Sequence, residues 1–224
     1  MATKASDQKM TGSNFASADY AEQWRRGERL RGEASVAVTG MMLDLASIQV
    51  GDRVLELAAG MGDLAVLAAR RVGPSGYVLV TDISANMLDL GAKAASEAGV
   101  TNIETRMMDA ENVDVAADSF NAALCRSALM LFPDRAKALA GVYRALKPTG
   151  RFAASVWSTA EKNPFHGLPL AIVSRLAKIP APLPGQPGMF ALSRRSPRRV
   201  LHDGRIPRRG FARSSSATVF SFHR

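Results

Sequence analysis

The sequence is poor in cysteine, in histidine and in long apolar runs. Cys125 is the single cysteine among 224 residues, so no internal disulfide can form, which fits a reducing compartment. The histidines, His166, His202 and His223, show no metal-ligand spacing, and we expect no metal site. No apolar run approaches the ~18 residues that cross a bilayer, and the polar N-terminus lacks the apolar core of a signal peptide. These absences predict a cytoplasmic protein without a membrane span.

Excess positive charge is confined to one segment. The formal net charge is +9, but residues 1–192 hold 20 Lys+Arg against 19 Asp+Glu. Residues 193–224 hold 9 Arg, no lysine and one acidic residue, Asp203. Because the body of the chain is close to neutral, we expect no nucleic-acid partner. The alternative that the basic segment anchors the protein to nucleic acid or to an anionic membrane stays open.

Apolar runs bounded by turn residues alternate with helical patterns along most of the chain. Between residues 20 and 46, apolar side chains recur at roughly helical intervals, which predicts an amphipathic helix. Strands that alternate with helices imply right-handed crossovers, and therefore an α/β fold with a mostly parallel sheet. The predicted strands are 54–58, 77–82, 102–107, 119–127 and 151–157.

A glycine turn follows the first predicted strand, and an acid closes the second. Asp82 lies 20 residues after Gly62, a spacing at which a carboxylate can accept both hydroxyls of a ribose at the carboxyl edge of a parallel sheet. We therefore expect a ligand that contains a nucleoside. Glu56 and Asp63 flank the turn, and two anions would repel a pyrophosphate by roughly a few kcal/mol at an effective dielectric of ~20. S-adenosylmethionine has no phosphate and carries an ammonium and a sulfonium, so the carboxylates favour it over a dinucleotide.

Five segments in order resemble the motifs of class I S-adenosylmethionine-dependent methyltransferases, of the ubiquinone/menaquinone-biosynthesis C-methyltransferase-like group. They are VLELAAGMGDLA, VLVTDIS, RMMDAENV, DSFNAALCRSALMLFPD and LKPTGRFAASVW. The resemblance covers roughly residues 20–192. It implies a Rossmann-like three-layer sandwich with strand order 3-2-1-4-5, with S-adenosyl-L-methionine as the cofactor and a small molecule as the methyl acceptor. Because the sequence after Ser193 departs from the group, we expect its terminal antiparallel strands to be missing or altered.

The resemblance also implies a set of cofactor-binding residues. Around the methionine part it places Glu56, Ala58, Gly60, Met61 and Gly62. It places Asp82 at the ribose, Ile83 on the adenine, Asp109 and Ala110 at the adenine edge, and Arg126 at the floor of the site. Two positions depart from the pattern, since Met61 is commonly threonine and Asn121 replaces an aspartate. We expect neither change to remove the site.

Methyl transfer from a sulfonium is an in-line displacement, which depends mainly on positioning and on the exclusion of water. No general base stands out, and His166 is the polar group in the substrate-side segment that could serve as one. The resemblance implies a quinol-like carbon or oxygen nucleophile as the acceptor. Trp24 and the 20–46 helix could form a lid, or could simply pack on the core.

Two other functions remain open beside methyl transfer. The chain could bind S-adenosylmethionine without turnover. Tyr143 and Lys147 match the Tyr/Lys pair of short-chain dehydrogenases, which raises an NAD-dependent oxidoreductase, but Lys147 belongs to the turn that enters the fifth strand.

The predicted organisation is a leader, one methyltransferase domain and a tail. The leader spans 1–19 and the domain 20–192, which comprises a helical cap (20–49), a cofactor-binding core (50–157) and a substrate-side segment (158–192). The arginine-rich tail, 193–224, has too little apolar surface to offset its ordering entropy. Its arginine-without-lysine composition motivates the hypothesis that it is read out of frame from a GC-rich gene. The oligomeric state is left open.

Overall fold

The computed structural model describes residues 15–180, 186–192, 211–213 and 217–224. The helices are α1 (Ala18–Arg26), α2 (Glu28–Leu45), α3 (Asp63–Val72), α4 (Ala85–Glu97), α5 (Arg135–Ala145) and α6 (Pro164–Leu176), with 3-10 turns at Leu129–Leu131 and Ala160–Lys162. The strands are β1 (Arg53–Glu56), β2 (Tyr77–Asp82), β3 (Ile103–Met107), β4 (Phe120–Arg126), β5 (Leu146–Trp157), β6 (Phe211–Arg213) and β7 (Ala217–His223).

Local sequence signals account for several helix ends. Ser84 and Asp134 cap α4 and α5, because their side chains accept hydrogen bonds from backbone amides three residues later. Gly73, with φ of +67°, ends α3. The single helix expected over 20–46 is two helices, α1 and α2, which meet at Gly27. Of the leader, residues 1–14 lie outside the described residues.

The strands form one sheet in the order β3-β2-β1-β4-β5-β7-β6. The first five are parallel neighbours in the predicted order 3-2-1-4-5, so the predicted α/β fold is confirmed. β7 runs antiparallel to β5 along the whole of β7, from Arg151 opposite His223 to Trp157 opposite Ala217. The carboxyl ends of β1, β2 and β4 therefore lie side by side at one edge.

Each central strand contributes to two separate cores on opposite faces of the sheet. In β1, Val54 packs in the core beneath α2, α3 and α4, whereas the adjacent Leu55 packs in the core beneath α5. This alternation is the period of a pleated strand buried on both faces. Because helices cover both faces of the sheet, the fold is the three-layer sandwich that the family resemblance implies.

The terminal antiparallel strands, which we expected to be missing or altered, are not missing, because β7 lies beside β5 and β6 lies beside β7. Phe220 and Phe222 are buried against Phe152, with the rings of Phe152 and Phe222 5.1 Å apart. The sequence ATVFSFH alternates apolar and small residues, a strand signal that averaging over the arginine-rich segment concealed. Residues 193–210 and 214–216 lie outside the described residues, so the out-of-frame hypothesis for that stretch stays a prediction.

Candidate functional site

The glycine turn joins the carboxyl end of β1 to the start of α3. Gly60 and Gly62 have φ of +58° and +71°, the left-handed region that glycine adopts without strain. Ala58 also lies there, at +49°, although it carries a Cβ. A Cβ on Gly91 of α4 would lie 3.1 Å from the carbonyl oxygen of Met61, so α4 packs closely against the turn. The turn is thus held firmly at the edge of the sheet, with the amides of Ala59, Gly60 and Gly62 donating to Thr81, Asp82 and Ala59.

Asp82, at the tip of β2, is bonded to this turn. Its Oδ2 accepts a hydrogen bond from the Gly60 amide at 2.8 Å, and its Oδ1 accepts one from the Ser84 amide at 2.9 Å. The residue is only 8% exposed, and burial raises the pKa of its carboxyl, an effect that the backbone hydrogen bonds partly offset. Each carboxylate oxygen has a second lone pair, so Asp82 can still accept hydrogen bonds from hydroxyls of a ligand.

Glu56, the last residue of β1, is 2% exposed. Burial raises the pKa of its carboxyl to about 8, although the Arg126 charge and a hydrogen bond from the Ala65 amide act in the opposite direction. Within the described part of the chain, Glu56 Oε2 has no hydrogen-bond partner. A buried acceptor without a donor is unfavourable by about 1–3 kcal/mol, so this oxygen is suited to a donor or a cation brought by a ligand.

Arg126, the last residue of β4, joins three elements. It forms an ion pair with Asp63 at the start of α3, and it donates hydrogen bonds to Thr39 Oγ1 at 2.8 Å and Ser35 Oγ at 3.2 Å on α2. The predicted floor residue therefore lies at the expected strand end with its guanidinium bound to the protein. The sequence did not predict this network, and the spacing of Ser35 and Thr39 on one face of α2 was its only signal.

Helix α1 covers the turn. Met61 packs in a small apolar cluster with Ala21 of α1 and Met87 of α4. The indole Nε1 of Trp24 lies 3.7 Å from where a Cβ on Gly60 would stand, and the rings of Tyr20 and Trp24 stack 5.7 Å apart. Trp24 and α1, for which a lid and simple packing on the core were both open, thus lie over the glycine turn.

The residues expected at the adenine follow β2 and β3. The Met108 amide donates to the Asp82 carbonyl at 2.9 Å, which holds the segment after β3 beside the end of β2. Both carboxylate oxygens of Asp109 accept local hydrogen bonds, from the Glu111 amide and the Asn112 side chain. Ala110 is buried in the core beneath α5, and Ile83 is half-buried.

His166, near the start of α6, packs between two aromatic rings. Its ring packs 4.8 Å from that of Trp157, at the carboxyl end of β5, and 5.1 Å from that of Phe165. Burial lowers the pKa of the imidazole, so the neutral form, which can accept a proton, is favoured. Burial also raises the pKa of the Cys125 thiol to about 12, which leaves that residue an inert core side chain.

The opposite, amino end of the sheet holds Asn121 and Lys147. Asn121 Oδ1 accepts hydrogen bonds from the Arg53 amide and from Lys147 Nζ, beside a cavity of about 120 Å³. Lys147 is therefore directed away from the edge at which the glycine turn lies, which argues against the dehydrogenase reading of Tyr143 and Lys147. Among the described residues, no group of three possible metal ligands is present, and no helix has the length and apolarity to cross a bilayer.

Comparisons with known proteins agree with this arrangement. The sequence pattern of the ubiE/COQ5 methyltransferase family matches residues 38–168. The ubiquinone/menaquinone biosynthesis C-methyltransferase UbiE of Methylococcus capsulatus is 39% identical over 110 residues, which are 49% of this chain and 44% of that protein. UbiE of Haemophilus ducreyi is 33% identical over 127 residues, which are 56% of this chain and 49% of that protein. The chain thus matches about half the length of these relatives.

A solved structure gives the same result for the fold. A SAM-dependent methyltransferase from Aquifex aeolicus superposes with a TM-score of 0.63 at 15% identity, over 83% of this chain and 88% of that one. At that identity the likeness shows the fold alone. Since the family pattern covers more than half of the sequence, the chain belongs to the ubiE/COQ5 methyltransferase family.

Proposed function

We propose that this chain binds S-adenosylmethionine at the carboxyl edge of its sheet and transfers the methyl group to a small-molecule acceptor. The observation that carries the proposal is the buried Oε2 of Glu56, which no described residue pairs, beside a left-handed glycine turn. An ammonium beside Glu56 would lower the raised pKa of its carboxyl and pair with the ionised form, and the methionine part of the cofactor has one. Membership of the ubiE/COQ5 family supports the same assignment.

Different residues of the chain would bind different parts of the cofactor. Asp82 would accept the ribose hydroxyls, since a carboxylate has about four acceptor sites and its backbone hydrogen bonds do not use all of them. Glu56 would hold the ammonium, with the backbone of Ala58, Gly60, Met61 and Gly62 around the methionine part. Ile83, Asp109 and Ala110 would surround the adenine. Arg126 would close the floor of the site, with its guanidinium held by Thr39 on α2 and by Asp63.

When bound, the cofactor supplies an electrophilic methyl group on a sulfonium. The protein then has to position the acceptor and exclude water. Helix α1, with Trp24 against Gly60, covers the turn and is placed to exclude water. His166, held largely neutral by burial, is the candidate base for an acceptor that must lose a proton.

The proposed acceptor is a quinol-like carbon or oxygen nucleophile. The curated relatives carry the name ubiquinone/menaquinone biosynthesis C-methyltransferase, which is the support for this class. A second function, binding of the methyl donor without turnover, is favoured by one observation. The imidazole of His166, the candidate base, packs against the rings of Trp157 and Phe165, an apolar setting in which it has no polar group to orient it toward an acceptor among these contacts.

Calorimetric titration with S-adenosylhomocysteine tests the cofactor assignment, with NADH as the control ligand. We expect binding at about micromolar affinity to the unchanged chain, at least tenfold weaker binding to Asp82→Asn, and no change for Asp89→Asn, an exposed acid on α4. Tight binding of NADH, or equal binding by the two variants, would contradict the assignment. Methyl transfer from labelled donor to a panel of quinols then separates turnover from binding alone.

A further inference from the structure

Helix α6 presents an apolar surface that nothing in the described part of the chain covers. None of its side chains is buried, and Phe165, Leu168 and Leu176 are 74%, 63% and 73% exposed. Leu170, Ile172, Val173 and Ile179 are each at least half exposed. At 100° per residue, Phe165, Leu168, Ile172 and Leu176 fall on one side of the helix. A continuous exposed apolar stripe of this kind marks an interaction surface.

The charge around this stripe is mainly positive, because Lys162, Arg175 and Lys178 are opposed by one acid, Glu161, in the 3-10 turn before α6. From Lys162 to His202 the sequence contains no Asp or Glu, and within the described residues the apolar stripe is accompanied by Arg175 and Lys178. A second copy of the chain would bring the same cations to the contact, and like charges would repel. An anionic surface complements the helix in both apolar and charged character.

The length of the helix decides its orientation on such a surface. Its 13 residues extend about 20 Å, well short of the ~30 Å hydrocarbon core of a bilayer. A short helix with an apolar stripe and cationic flanks lies in the plane of the interface, with its apolar side among the acyl chains.

We infer that α6 docks this protein peripherally on an anionic membrane surface. The apolar stripe enters the boundary between headgroups and acyl chains, and Arg175 and Lys178 contact lipid phosphates. His166 in the first turn of α6 packs on Trp157 at the carboxyl end of β5. Docking through α6 would therefore bring the carboxyl edge of the sheet, where the glycine turn lies, close to the bilayer. The inference goes beyond methyl transfer and does not depend on it, because docking requires neither cofactor nor acceptor.

Flotation of the full chain with vesicles tests this inference. One set of vesicles is phosphatidylcholine alone, and the other contains about one third phosphatidylglycerol. We expect the unchanged chain to float with the anionic vesicles and to bind neutral ones about tenfold less. The Leu168→Ser/Leu176→Ser variant should lose roughly tenfold or more in partitioning to anionic vesicles. Val36→Ser/Val50→Ser, which changes residues 68% and 76% exposed on other parts of the chain, should bind as the unchanged chain does.

An Arg175→Gln/Lys178→Gln variant separates the two contributions. It should lose about tenfold on anionic vesicles and nothing on neutral ones. Failure of the unchanged chain to float would overturn the inference, and light scattering would then show whether a second copy covers the stripe. Full binding by the Leu168→Ser/Leu176→Ser variant would also overturn it, because the arginine-rich segment would then hold the vesicles without α6. Circular dichroism confirms that each variant is folded.

Discussion

Replacement of Glu56 by glutamine is expected to stabilise the protein, and to do so more strongly as the pH rises. The folded pKa of this carboxyl is about 8, and its ordinary value is 4.5. The raised pKa means that the folded state holds the proton more tightly than the unfolded state does. Stability is therefore complete below about pH 4.5 and declines as the pH rises toward about 8, because the buried carboxyl must either keep its proton or ionise without solvation.

The magnitude follows from the pKa difference. Each pKa unit corresponds to about 1.4 kcal/mol, so the full difference between about 4.5 and about 8 corresponds to roughly 5 kcal/mol at most. Glutamine has nearly the shape of the protonated acid and cannot ionise. The free energy of unfolding of Glu56→Gln should therefore match that of the unchanged chain at about pH 4.5 and exceed it by about 2–5 kcal/mol at about pH 9.

Urea unfolding at about pH 5, 7 and 9 measures this difference directly. Glu97→Gln is the matched control, because Glu97 is an exposed helical acid paired with Lys93, and its variant should differ by less than about 1 kcal/mol at every pH. A difference for Glu56→Gln that does not grow with pH would refute the reasoning, since Arg126 would then be neutralising an ionised Glu56. The same variant should bind S-adenosylhomocysteine more weakly, which makes Glu56 a site where stability is exchanged for binding.

Three further substitutions test other parts of the structure. Arg126→Met should lower the free energy of unfolding by about 1–3 kcal/mol and speed amide hydrogen exchange in α2, because three side-chain partners lose their donor; unchanged exchange in α2 would contradict this. Phe222→Ala should cost about 3–5 kcal/mol in urea unfolding, whereas the exposed Phe165→Ala should cost less than about 0.5 kcal/mol; equal effects would mean that β7 is not in the core. Gly62→Ala should lower the melting temperature through about 1–2 kcal/mol of left-handed strain, whereas Gly40→Ala on α2, where a Cβ has open space, should raise it.

The sequence predicted those features that depend on neighbouring residues. The apolar runs that end at Glu56, Asp82 and Arg126 predicted where three strands end. The alternation of strands with helices predicted that these three strand ends lie at one edge of a parallel sheet. The parallel order of the first five strands followed from the alternation of strands with helices, read together with the family resemblance.

Features that depend on distant side chains were not predictable in this way. The bonds from Arg126 to Thr39 and Asp63 join residues that only the folded sheet brings together. The Oε2 atom of Glu56, to which no described residue donates a hydrogen bond, is likewise a property of packing, because it depends on side chains and amides from several elements. β7 was missed for another reason: the charge of its neighbours in the sequence outweighed a short alternating run.

The pairing of β5 with β7 has a consequence during synthesis on the ribosome. Phe152 is made about 70 residues before Phe220 and Phe222, so the edge of β5 and its apolar face remain open while the intervening segment emerges. A nascent chain with an open strand edge is prone to pair with other chains. Expression at low temperature, or with added chaperones that bind exposed apolar segments, should therefore raise the yield of this protein more than that of a fold in which each strand pairs only with its neighbours in sequence.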